Sequence, residues 1–116
     1  MTLRQKQSVF ALLVARLIQK ADAMGYEVTG GELYRSPEEA ARLAKAGKGI
    51  AKSLHTSRLA IDLNLFKDGK YLSSTESHRP LGEWWESLGA AHGVTTAWGG
   101  SWGDGNHYSL AHEGRK

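Results

Sequence analysis

Leu59-Ala-Ile-Asp-Leu-Asn-Leu-Phe66 is the stretch on which the fold turns. Leu59, Ile61, Leu63 and Leu65 fall on one side of an extended chain, and Ala60, Asp62, Asn64 and Phe66 on the other. That alternation predicts a strand with one face in the core. Asp62 is the anomaly, because acidic residues are depleted in strands and this one sits among Leu and Ile. It requires a positive charge, a hydrogen-bond donor or a metal ion beside it. Arg58 offers the plain alternative, an ion pair without catalytic meaning. Asp68-Gly69 then marks a turn, after which Lys70 to Leu72 return as a short antiparallel strand.

Upstream, Phe10, Leu13, Val14, Leu17, Ile18 and Ala21 recur at helical spacing on one face, predicting an amphipathic core helix over residues 3–24 that Gly25 closes. Arg4 and Lys6 ahead of the apolar run Val9 to Ala15 give it some look of a signal peptide. Arg16, Lys20 and Asp22 interrupt that run, so the core helix is the better reading. Tyr26 to Tyr34 reads as an irregular strand around Gly30-Gly31. A second helix starts at Ser36 as N-cap, with Pro37 at its first position and Glu38 and Glu39 facing the positive end of its dipole. It stops near Gly47, and residues 47–57 form a polar loop carrying His55.

Downstream, residues 73–79 form a loop, and a third helix from Pro80 to His92 buries Leu81, Trp84, Trp85 and Leu88. After Trp98-Gly-Gly-Ser-Trp102, a last strand from His107 to Ala111 sets His107 and Ser109 against Tyr108 and Leu110. The elements compose an α+β fold, a small antiparallel sheet flanked by helices, in one domain spanning residues 1–116.

Composition narrows the chemistry. The 116 residues contain no cysteine, which removes disulfides and thiolate metal sites and leaves histidine and carboxylate as ligands. At 41% hydrophobic and 23% charged the chain has the makeup of a folded globular domain. The net charge of +3 and pI of 9.3 favour a polyanionic partner. Lysines and arginines are scattered along the sequence rather than striped with aromatics, so no nucleic-acid face is expected. No run approaches the ~20 apolar residues of a membrane span. The expectation is therefore a monomer without stable membrane association, made in the cytoplasm.

Two short motifs concentrate the polar chemistry: Ser53-Leu-His55 running on to Asp62, and Asp104-Gly-Asn-His107. Three of these four groups can hold a divalent zinc ion while leaving a position for water, and the fourth can move protons. Singly, each has a plainer reading. His55 fits a solvated loop side chain, His107 a satisfied histidine at the core edge, and Asp104 a turn initiator with Gly105 and Asn106. His78, His92 and His112 read as surface residues. If the strands around Asp62 and His107 pair, both side chains share one face and His55 approaches from its loop.

The combination resembles a known family. Ser53-Leu-His55-Thr-Ser-Arg-Leu-Ala-Ile-Asp62 is similar to the first zinc motif of the DD-peptidase-related metallopeptidases, peptidase family M15. Trp98-Gly-Gly-Ser-Trp-Gly-Asp104-Gly-Asn-His107 looks like their second. Gly25-Tyr-Glu-Val, Tyr34-Arg35-Ser36-Pro-Glu-Glu and the segment from Leu81 to Gly89 also resemble family elements in order. Single-domain phage endolysins that cut the L-alanyl-D-glutamate bond of peptidoglycan are the nearest form.

The resemblance implies a Hedgehog/DD-peptidase-like fold, Zn2+ as cofactor held by His55, Asp62 and His107, Asp104 as catalytic acid or base, and Arg35 as an active-site arginine. It implies a peptidoglycan stem peptide as substrate, and a location in the host cytoplasm until a holin gives access to the wall. A zinc D-alanyl-D-alanine carboxypeptidase and a catalytically silent wall-binding module are the alternatives. The sequence departs from the family pattern at Asp104, where many endopeptidases of this type carry Glu, at Ala40 for Gln, and at Ser101 for Asp.

Overall fold

The computed structural model describes residues 1–49 and 52–116. Helix α1 runs Leu3–Ala23, strand β1 Glu27–Gly30, helix α2 Pro37–Lys45, strands β2 Ala60–Lys67 and β3 Lys70–Tyr71, helix α3 Arg79–Leu88, and strands β4 Thr96–Trp98 and β5 His107–Leu110. The architecture is the expected α+β arrangement. All pairings are antiparallel, in the order β1-β2-β5-β4, with β3 returning along β2 through the Asp68-Gly69 turn. Both turn residues have positive φ, 52° and 74°, as a tight type I′ connection demands. The deciding stretch is thus the spine of the sheet: Phe66 pairs with Glu27 on one edge and Tyr71 on the other, while Ala60 to Asp62 pair with β5.

Leu59, Ile61, Leu63 and Leu65 are all buried, as their alternation predicts. They meet Phe10, Leu13 and Leu17 of α1, Leu81 and Trp85 of α3, and Tyr108 and Leu110 of β5 in one core. Trp85 stands edge-on to both Phe10 and Tyr108, and its indole N–H donates to the Ala97 and Ser109 carbonyls at 3.0 and 3.1 Å. That bond matters because an unpaired indole N–H would be costly at this depth. Helix α1 opens with Thr2 and Gln5 in a capping box, and α2 with the Ser36 hydroxyl accepting from the Glu39 amide at 3.0 Å.

The structure departs from the sequence reading at several points. Ile18 lies on the outer edge of the α1 stripe and is exposed. The third helix ends at Leu88 and continues only as a 3-10 turn over Gly89–His92, closed by Gly93 at φ 70°, while Gly89 packs against Val94 and Thr96 with no room for a side chain. Strand β4 was not anticipated; three residues are too few to display an alternation. His78 is buried and shares a 2.8 Å hydrogen bond with the Tyr108 hydroxyl, rather than lying on the surface, and His92 and His112 are half-buried. The end of the 47–57 loop is a buried 3-10 turn, Leu54–Ser57, not a solvated segment; Ile50 and Ala51 of that loop lie outside the described residues.

Candidate active site

Asp62 and His107 are direct partners across β2 and β5. Both backbone groups of Asp62 are engaged on its other edge: its N–H donates to the Glu32 carbonyl, and its carbonyl accepts from the Gly31 amide, each at 2.8 Å. Asp62 and His107 therefore form a non-hydrogen-bonded pair, the kind in which facing side chains approach most closely. His55 enters from the 3-10 turn, where the Ser53 hydroxyl accepts from its amide at 3.1 Å. Arg58, at the end of that turn, has φ 55° and lays its guanidinium over the Tyr34 ring at 4.0 Å. No ion pair between Arg58 and Asp62 forms.

His55 Nε2 lies 3.4 Å from Asp62 Oδ1, and His107 Nδ1 lies 4.0 Å from the same oxygen. One ligand atom from each of the three residues falls within 4.8 Å of the others. Ligands around a tetrahedral zinc ion at ~2.0–2.2 Å stand roughly 3.4 Å apart, so the three residues suit such an ion with little adjustment. The tautomer is set as well: His55 Nδ1 is 3.2 Å from the Leu33 carbonyl, which accepts a hydrogen bond from the Nδ1–H and so leaves Nε2 a free lone pair. Both histidines are buried, while Asp62 remains partly exposed toward the cleft.

Asp104 and Arg35 complete the neighbourhood. Asp104 Oδ2 is 3.7 Å from His107 Nδ1, and its side chain is half exposed. The loop that presents it is tight, because Gly99 lies against the Asp104 carbonyl and the His107 Cβ. Burial, partly opposed by His107, raises the Asp104 pKa above the ordinary carboxylate value, which moves it toward the range of a proton carrier. Burial lowers the pKa of His107, keeping that ring neutral and able to donate a lone pair. Burial opposes protonation of His55 too, but Asp62, the Leu33 carbonyl and Glu32 together outweigh it and raise its pKa.

Arg35 is mostly buried and forms an ion pair with Glu32, whose Oε1 also lies 3.7 Å from His55 Nδ1. Sequence reading missed Glu32, whose only signal is its place beside the Gly30-Gly31 irregularity. A cleft of about 670 Å³ joins Arg35, His55, Asp62, Trp102, Asp104 and His107. All five residues singled out in the sequence thus meet in one place.

Two imidazoles and a carboxylate converging beside a second, half-exposed carboxylate match the donor set that a hydrolytic metal centre uses. Residues 46–110, more than half of the chain, match the family model described as D-alanyl-D-alanine carboxypeptidase, and the chain belongs to this peptidase family, M15. The match takes in His55, Asp62, Asp104 and His107. Among solved structures, the fold is similar to the crystal structure of the Serratia marcescens L-Ala D-Glu endopeptidase ChiX. The TM-score is 0.69 at 23% identity, covering 85% of this chain and 77% of that one. No curated protein sequence matches.

Proposed function

We propose that the protein is a zinc-dependent peptidoglycan peptidase that hydrolyses the L-alanyl-D-glutamate bond of stem peptides, and that it serves as a phage endolysin. The observation that carries the reading is the convergence of His55, Asp62 and His107 with Asp104 in one cleft. The likeness to ChiX over most of the chain supports the choice of bond. His55 Nε2, Asp62 and His107 would hold the zinc ion, which would supply Lewis acidity for a carbonyl and for water.

The protein's own groups do the rest. Asp104 accepts the proton of the attacking water and returns it to the leaving amine, a task for which its raised pKa suits it. Arg35, held by Glu32, faces the cleft as a fixed positive charge that steadies the oxyanion or a substrate carboxylate. The Leu33 carbonyl keeps the His55 ring in the ligating tautomer. Access to the wall from the host cytoplasm would rest on a holin.

A second reading, a D-alanyl-D-alanine carboxypeptidase, draws on the description of the matching family model. Digestion of defined muropeptides followed by mass spectrometry separates the two. Separation of the stem peptide after L-alanine supports the endopeptidase, and release of a terminal D-alanine supports the carboxypeptidase. Wall binding without any fragment would leave only a binding module.

A further inference from the structure

The cationic residues, scattered in sequence, gather in space. Arg35, Lys48, Lys52, Arg115 and Lys116 all line the cleft that holds Asp62 and Asp104; Glu32 pairs with Arg35 and Glu113 stands by Arg115, which leaves the three lysines as the cations facing it. Among the described residues, no carboxylate is within ion-pair distance of Lys48, Lys52 or Lys116. The wall bearing them is built. Residues 112–115 close a turn through mutual backbone bonds between His112 and Arg115 at 3.0 and 2.9 Å, with Glu113 and Gly114 both at positive φ. Lys6 Nζ holds His112 Nδ1 at 2.9 Å, and Arg115 Nη1 donates to the Lys52 carbonyl at 3.1 Å, pinning the turn to the loop that carries Lys52. Lys116 lies over the Trp102 ring at 5.9 Å.

We propose that Lys52 and Lys116, set by this turn, form a specificity-determining clamp for the free carboxylates of an acidic peptide substrate. The proposal rests on the peptidase reading and goes beyond it by naming which stem peptides are taken: those with free carboxylates over those carrying carboxamides. An uncompensated ammonium at the cleft mouth gains from a carboxylate and gains little from a neutral amide. Arg115 is a positioning residue, since Glu113 stands 3.8 Å from it and its other nitrogen holds the loop.

The test compares a soluble stem peptide having free carboxyls with its carboxamide analogue, using the full chain supplied with zinc. Wild type is expected to show KM on the order of 10-fold lower for the acid form, with kcat alike. Lys52→Gln with Lys116→Gln should erase that difference by raising KM for the acid peptide to that of the amide, whereas Lys52→Arg with Lys116→Arg should keep it. Equal KM values in wild type, or glutamine variants that alter neither peptide, overturn the clamp while leaving the peptidase standing. A loss seen only on whole walls also overturns it and assigns the lysines to anionic wall polymer. If wild type cuts neither peptide, the peptidase reading fails. Calorimetric binding of the two peptides to Asp104→Asn protein then decides the clamp, with equal affinities counting against it.

Discussion

Asp62 Oδ1 stands between two histidines 52 positions apart in sequence, 3.4 Å from His55 Nε2 and 4.0 Å from His107 Nδ1. One carboxylate oxygen thereby fixes the spacing of the whole constellation. Its position follows from register: a slip of one residue between β2 and β5 would turn Asp62 toward the core.

His107→Ala should abolish stoichiometric zinc in the purified protein and reduce wall-lytic turnover by on the order of 10³ or more, since Lewis acidity is worth several kcal/mol. Metal analysis and turbidity assays read both quantities. A variant that retains full activity without zinc would defeat the zinc proposal.

Asp104→Asn should keep the metal and lose ~10²- to 10⁴-fold in kcat, because the amide cannot accept a proton. Asp104→Glu should retain activity, as the half-exposed side chain has room for another methylene. Loss of zinc together with turnover in Asp104→Asn would make the residue structural.

Burial holds the His78 pKa below the ordinary histidine range, so the folded state favours the neutral ring that pairs with Tyr108. The unfolded chain binds the proton more readily. This contribution is therefore complete above the unfolded value of ~6.5 and fades as pH falls through the lower folded value. Urea titrations of wild type and His78→Phe at pH 7.5 and pH 5 should show the stability gap shifting against wild type in acid. A gap constant across that range would discredit the assignment.

Gly82→Ala should destabilise the fold by about 1–3 kcal/mol, because a Cβ there would sit 2.1 Å from the Trp98 ring. Thermal melting measures the loss. An unchanged Tm would mean that α3 and β4 are not packed this closely.

Local pattern carried much of this molecule. The period-two run ending at Phe66 and the capped helices announce themselves because each depends on neighbours within a few residues. The two motifs were legible for the same reason, each bringing its polar groups within one turn or strand. What stayed hidden was long-range. His78 is buried by Tyr108, thirty positions away. Glu32 acquires meaning only through Arg35 and His55. The five cations share a cleft only after the turn at 112–115 folds back, and neither spacing nor composition encodes that return.

The pairing of β2 with β5 has a thermodynamic consequence. Positions 55 and 107 come together only in the folded chain, through the 3-10 turn that carries His55 and the β2–β5 pairing that places His107, so an ion gripped by all three side chains would bind the native state and be shed on unfolding. A free ion concentration a hundredfold above its dissociation constant would then add about 2.7 kcal/mol to the unfolding free energy. Resistance to denaturation becomes a gauge of how much metal the surroundings supply, and a chelator should lower the melting temperature before any peptide is offered.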